Sequence, residues 1–303
     1  MVVFLSHGFT VSPKRIINTP DALTDFVYNW QTITVSTMKG SVEKYVIKSG
    51  KLVGSYKFDK IKDFTGEEVD AEVFHIETAG DLLFALVHGE NGKNNIFKLV
   101  DNSATLVVPG QLFNSVIVDF YAVDKGKLLI ALLSNELVLY DLKNKKNIYR
   151  VQVSPYAFSA MDVSHGYVFT ADESGEIHKT DIATGKLIKT YKGQHVDNVL
   201  CVASDGKTVA GGGKDRRVSF YNETTGSGTH LNTGYFVTAL ALGGGKAAWF
   251  DDSSNAIVVY RISDKKKIVS VTGHKSMVNK LYFAPTGELV SCGSDGKIII
   301  YKF

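Results

Sequence analysis

The sequence predicts an all-β chain, folded over residues 1–303 as one seven-bladed β-propeller domain closed by its N-terminal strand. Three observations lead there. A strand-like phrase ending on a bulky residue recurs along the chain, and its anchors Tyr140, Thr180, Tyr221, Tyr260 and Tyr301 stand 40, 41, 39 and 41 residues apart. Leu99 extends the series 41 residues upstream and Tyr45 begins it 54 residues earlier, which gives seven anchors in 303 residues. A period of roughly 40–45 residues marks four-stranded propeller blades, and such units stack about an axis because one blade cannot bury both its faces. The second observation is the lack of any sustained 3.6-residue apolar pattern, which argues against helices. The third is composition: 14 Tyr and 17 Phe against only 5 Pro suit half-buried pleated strands.

The elements follow in chain order. Met1-Val-Val-Phe-Leu5-Ser-His-Gly8 has an apolar run without a basic segment before it, so it reads either as the tail of a truncated export signal or as a strand. The last repeat stops at Phe303, directly after a third strand, so blade seven needs an outer strand from the N-terminal segment. Lys14-Arg-Ile-Ile17 and Val2-Val-Phe-Leu5 both qualify, and pairing first with last removes two free edges. The step from Tyr45 to Leu99 is about 13 residues too long, with the excess in residues 58–72 between blades one and two. That stretch carries Asp59, Asp63, Glu67, Glu68, Asp70 and Glu72 around Phe58, Ile61, Phe64 and Val69. Extended loops carry function more often than the scaffold does. Asp59, Asp63, Phe64, Glu67, Glu68, Asp70 and Glu72 are therefore the candidate partner-binding residues, in a loop expected to be an addition to blade two. The turns Lys48-Ser-Gly-Lys51, Lys143-Asn-Lys-Lys146, Ala183-Thr-Gly-Lys186 and Asp264-Lys-Lys-Lys267 form a basic rim on the opposite face. Cys201 and Cys292 fall in blades five and seven, which do not touch, so two buried thiols are expected rather than a disulfide, which needs Cα atoms within about 7 Å.

The last repeat is the most explicit. It runs from Gly273-His274 through Ser294-Asp295-Gly296 to Tyr301-Lys302. These residues resemble the WD-repeat family, in which Gly-His opens the repeat, Ser-x-Asp precedes the third strand and Trp-Asp ends it. Gly273 and Tyr301 lie 28 residues apart, as do Gly193 and Tyr221, with Gln194 in the His slot and Asp215 in the Asp slot of that earlier repeat. Trp is replaced by Tyr in most repeats, so the family's buried polar network is expected only in the last blade. His274, Asp295 and Tyr301 are accordingly assigned a structural role: the aromatic wedges between blades, and the His–Asp pair ties a turn to a loop.

Composition and motifs exclude most chemistry. A net charge of +3 and a pI near 8.6 come from Lys spread over many turns, not the single basic stripe of a nucleic-acid binder. No apolar stretch approaches the roughly 20 residues of a membrane span. The eight His residues form no two-His pair at ligand spacing, and no P-loop, Rossmann glycine pattern or nucleophile elbow occurs. The five Arg are too scattered for a sialidase-like site. No cofactor, metal or catalytic residue is therefore expected, and the chain reads as a monomer that binds proteins.

A narrower resemblance rests on Ile61-Lys-Asp-Phe-Thr-Gly-Glu-Glu68, Gly89-Glu-Asn-Gly92, Leu132-Leu-Ser-Asn-Glu136, Ala171-Asp-Glu-Ser-Gly-Glu176, Lys192-Gly-Gln194, Asp215-Arg-Arg217 and Gly273-His-Lys-Ser276. In order and spacing these phrases resemble the accessory L-protein family encoded with the periplasmic nitrate reductase of Epsilonproteobacteria. The resemblance implies a periplasmic, non-catalytic interaction platform that supports nitrate reductase maturation or electron delivery, with nitrate reductase components as partners. The alternatives are a cytoplasmic WD-repeat scaffold and a propeller enzyme or ligand binder that uses its central channel.

Overall fold

In the computed structural model, which describes residues 10–101, 103–251 and 253–303, seven antiparallel sheets follow one another around a channel. Blade one comprises Leu23–Tyr28, Thr32–Thr37, Ser41–Val46 and Leu52–Lys57, ordered from the channel outward. Blade five repeats the plan with Val199–Ser204, Thr208–Gly213, Arg217–Asn222 and Gly228–Asn232. Each anchor residue from Tyr45 to Tyr301 lies in a third strand, as the repeat requires.

Burial explains the composition of each strand. The third strand Lys297–Tyr301 is covered on both faces by neighbouring blades and reads Ile-Ile-Ile-Tyr after its first residue, all four buried. Outer strands are covered on one face only, so Lys146–Gln152 is exposed along most of its length. The core lies between blades. Ile299 and Tyr301 pack with Val278, Val259 and Phe250 on the blade-six side, while Ile298 and Ile300 pack with Leu23, Phe26 and Ile33 on the blade-one side. Cys201 and Cys292 are buried free thiols in blades five and seven.

Closure uses the candidate segment Lys14-Arg-Ile-Ile17. Arg15–Asn18 pairs antiparallel with Lys297–Tyr301, Arg15 opposite Ile300 and Asn18 opposite Lys297. Ile17 is 3% exposed and joins the cluster holding Ile298 and Ile300. Val2-Val-Phe-Leu5 lies outside the described residues. A feature absent from the repeat pattern precedes closure: Thr10–Val11 adds a fifth, parallel strand to blade six, against Ser270 and Val271.

Candidate interaction face

The connections that carry the chain from one blade's outer strand to the next inner strand share a face with the turns between second and third strands. Six such connections join consecutive blades, and every one exposes a large apolar side chain: Phe64, Leu112, Tyr156, Val196, the pair Tyr235–Phe236, and Met277. Met38 and Leu133 add exposed groups from second-to-third-strand turns of the same face. Single exposed apolar residues are ordinary on a protein surface; here one stands on each connection around a single face. The opposite face offers Trp30, in a turn of blade one.

The predicted acidic loop is a structured hairpin on this face, with Ile61–Lys62 paired to Glu68–Val69. Its carboxylates do not act alike. Asp63 braces the tip by accepting hydrogen bonds from the backbone N–H groups of Thr65 and Glu67 at 2.8 and 3.0 Å. Asp70 pairs with Lys39 at 3.2 Å and Lys57 at 3.7 Å. Glu72 is half-buried, and burial raises its pKa. Asp59, Glu67 and Glu68 are exposed, and Phe64 at the tip is 89% exposed. The loop is not a simple addition to blade two, as the sequence led us to expect. Phe58 is buried edge-on against Tyr56, Ala71 is 2% exposed, and the N–H of His88 bonds the carbonyl of Glu72 at 2.8 Å. Gly40 has φ +80°, and any side chain there would lie 2.7 Å from the Ala71 carbonyl oxygen. The ends of the insertion are thus part of the blade-one and blade-two core, and only residues 62–68 project.

Buried polar networks hold the neighbouring loops. His274 places Nδ1 2.9 Å from Asp295 and Nε2 2.7 Å from the Ser291 hydroxyl, while the Asp295 carboxylate also accepts the N–H of Lys275 at 2.8 Å. The Tyr301 hydroxyl donates to the carbonyl of Thr272 at 3.3 Å. Burial lowers the His274 pKa, which keeps the ring neutral near pH 7. Both ring nitrogens are engaged within the chain and the side chain is 1% exposed, so this His–Asp pair presents nothing to a substrate.

Blade five carries a second network, which corrects two sequence expectations. The His slot is filled by His195, not Gln194: its Nδ1 lies 3.0 Å from Asp215 and its Nε2 2.9 Å from Ser219. The hydroxyl comes from the third strand, where Ser219 pairs with Gly211, instead of the second strand, where Ser291 pairs with Ile299 in blade seven. One extra loop residue and a hydroxyl moved across the ladder hide the network from letter matching. Gln194 instead has its Oε1 2.9 Å from Nδ1 of His230. Blade four has a third variant, in which Asp172 binds His178 at 2.9 Å and accepts Nδ2–H of Asn135 at 3.1 Å. Burial alone would raise the Asp172 pKa, but hydrogen bonds from His178 and Ser174 hold it at about 2.

The central channel holds a constellation that sequence reasoning missed. In six inner strands the third position, counted from Leu23, Val73, Ile117, Phe158, Val199 and Val278, follows a register shift or sits opposite one. These positions hold Asp25, His75, Asp119, Ala160, Cys201 and Lys280. Asp25 joins His75 at 2.7 Å and Lys280 at 2.6 Å, and His75 reaches Asp119 at 3.7 Å. The cavity they line measures about 380 Å³ and also meets Glu77 and Asp162. Burial would depress the His75 pKa, but the carboxylates of Asp25 and Asp119 more than offset it and push it up to about 9. Burial pushes Asp162 up to about 6. The signal was an ionisable residue at one fixed place in each inner strand of four adjacent blades. It is visible only once the repeats are aligned on their inner strands.

A pH dependence follows. His75 binds its proton more tightly folded than unfolded, so its contribution is complete below about pH 6.5 and is lost as pH rises through about 9. Each tenfold change in proton affinity is worth about 1.4 kcal/mol, so the loss amounts to a few kcal/mol. Thermal melts should show stability falling between pH 6.5 and pH 9.5, and His75→Gln should flatten that slope; an equal slope in the variant would contradict the assignment.

Among the described residues, no group of three or more His, Cys, Asp or Glu could hold a metal ion, and no helix is long and apolar enough to cross a membrane. The geometry defines a seven-bladed propeller with an exposed large apolar residue on each of the six connections of one face. Residues 185–222 and 265–302 match the family model described as WD domain, G-beta repeat, so these two segments are WD40 repeats. Each segment runs from the outer strand of one blade through the first three strands of the next, blades four to five and six to seven, and contains a His–Asp–Ser network. A similar curated relative is the 77 kDa echinoderm microtubule-associated protein of Strongylocentrotus purpuratus, 26% identical over 54% of this chain and 24% of its own length. Another is the periodic tryptophan protein 2 homolog of Dictyostelium discoideum, 23% identical over 57% of this chain and 20% of its own. The chain therefore spans about a quarter or less of the length of these relatives. Among solved structures, the computationally designed Ika8 protein superposes with a TM-score of 0.70 at 17% identity, covering 98% of this chain and all of that one, a likeness of fold alone.

Proposed function

We propose that this chain is a non-catalytic protein-interaction platform that acts as a monomer. Its partner docks on the face formed by the interblade connections and the second-to-third-strand turns. The observation that carries the reading is the exposed large apolar residue on each of six consecutive connections. Interfaces draw most of their energy from a few such anchors, with surrounding charges setting approach and orientation. We further propose that the partner is a component of the periplasmic nitrate reductase system, that binding supports maturation or electron delivery, and that the chain works in the periplasm. The ordered phrases from Ile61 to Ser276 support this assignment. The Phe64 hairpin contributes an anchor flanked by Asp59, Glu67 and Glu68, which would steer a basic patch of that partner.

Replacing residues 62–68 by a short Gly-Ser linker should leave the melting temperature within a few degrees of the parent, because the core residues Phe58 and Ala71 stay in place. Co-purification of the tagged chain with nitrate reductase components should weaken about tenfold, the effect of losing one interface hot spot. Equal capture by the shortened chain at low and high salt would remove the hairpin from the interface.

A further inference from the structure

Across the face from the acidic hairpin lies a recess of about 570 Å³ between the connections that flank blade five. Val196, 75% exposed, forms one wall, and Tyr235 and Phe236, with ring centroids 4.8 Å apart, form the other. The turn bearing Lys214 and Arg216 closes it. The walls are fixed in advance. Asp215 accepts the N–H of Val196 at 2.9 Å while held by buried His195. The N–H of Lys214 bonds the carbonyl of Asn198 at 2.8 Å, the N–H of Thr233 bonds that of Arg216 at 2.8 Å, and the Thr233 hydroxyl bonds that of Tyr235 at 2.7 Å. A preformed recess spares a ligand much of the ordering cost of binding.

Its charge is positive in balance. Asp215 is engaged as described and lies 3.9 Å from Nε of Arg217, which leaves exposed Asp197, one oxygen of which accepts the N–H of Asn198 at 2.7 Å, against two exposed cations. Lys214 and Arg216 are exposed, and neither forms an ion pair among the described residues. Arg216 is also conformationally unusual. Its backbone is left-handed, φ 62°, at a turn position where Gly40, Asn135, Gly175 and Gly296 stand in blades one, three, four and seven. In each of these turns the residue's N–H bonds the carbonyl three residues back. Gly and Asn take that conformation at little cost, whereas a long side chain is strained there. Strain retained at one copy of a repeated turn points to use of the side chain it carries.

The geometry points to this recess as the docking site for an acidic peptide segment of the protein partner, with carboxylate side chains flanking one aromatic or aliphatic residue. The apolar residue sits between Val196 and the Tyr235–Phe236 pair, and the carboxylates meet Lys214 and Arg216. This rests on the face assigned above and names the partner chemistry for its blade-five side.

The test uses the full chain and two blocked peptides, Asp-Glu-Phe-Asp-Glu and its charge-reversed twin Lys-Lys-Phe-Lys-Lys, read by fluorescence anisotropy. The acidic peptide should bind at least tenfold more tightly, more so at low salt. Arg216→Gly relieves the strained turn, so its melting temperature should equal or exceed the parent's while acidic-peptide affinity falls at least fivefold. Binding of the basic peptide as tight as the acidic one, binding of neither, or undiminished binding by Arg216→Gly overturns the proposal. If the 62–68 replacement still loses nitrate reductase components in that case, the face stands and only the recess falls; if it retains them as well, both fall.

Discussion

Deleting residues 1–18 should lower the melting temperature by roughly 10 °C. The deletion removes the outer strand of blade seven and the fifth strand of blade six together. Ile17 leaves the core, and Ile298 and Ile300, 0% and 2% exposed, lose cover on one side. Burial of one such side chain is worth about 1.5–3 kcal/mol, so the loss is about 4 kcal/mol before the backbone pairings are counted. At about 2–4 °C per kcal/mol for proteins of somewhat smaller size, a shift near 10 °C results. Edges freed in blades six and seven should also promote association between copies, visible as scattering on heating. Ile17→Asp isolates the packing contribution, because it keeps the chain length and the backbone pairing, and should produce at least half the shift. An unchanged melt for the deletion would mean that the ring does not depend on this strand.

The second large effect belongs to the buried networks. His274→Ala leaves the Ser291 hydroxyl, 0% exposed, without its nitrogen partner and strips Asp295 of its ring hydrogen bond. An unsatisfied buried group costs about 1–3 kcal/mol. Asp295 retains the N–H of Lys275 and sits 3.7 Å from Lys297, so the middle of that range, about 2 kcal/mol, is expected from chemical denaturation. Asp295→Ala should cost more, because it frees both the ring and the Lys275 N–H. His195→Ala should match His274→Ala, since its ring is equally buried between an Asp and a Ser. At low temperature the His274→Ala chain should still bind its partner. Full stability with lost binding would assign His274 to recognition instead.

These expectations also show what was legible before the fold was seen. The repeat of anchors located every third strand, because that strand is largely buried between blades and carries a mostly bulky residue at a fixed spacing. The insertion and its face were legible for the same reason: they interrupt the period. Three things were not. The His195 network was hidden because the repeat letters assume one loop length and one strand for the hydroxyl, whereas hydrogen bonding requires only that the groups meet in space. The core role of Phe58 and Ala71 was hidden because they lie inside an otherwise polar insertion. The Asp25–His75–Asp119–Lys280 chain was hidden because its members are 44 to 255 residues apart and meet only around the channel. Closure by Arg15–Asn18 was among two options, and pairing with Ile300 and Ile298 requires the buried Ile17 that this segment supplies.

The central claim is that one face of the ring is the docking surface. Hydrogen–deuterium exchange of the chain, alone and in complex with nitrate reductase components, tests it most directly. The expected result is added protection in residues 62–68, 109–116, 154–157, 193–198, 214–216, 233–237 and 274–277, with outer strands such as Lys146–Gln152 and the turn around Trp30 unchanged. Protection confined to the outer strands or to the face of Trp30, with those connections exchanging as in the free chain, would contradict the account.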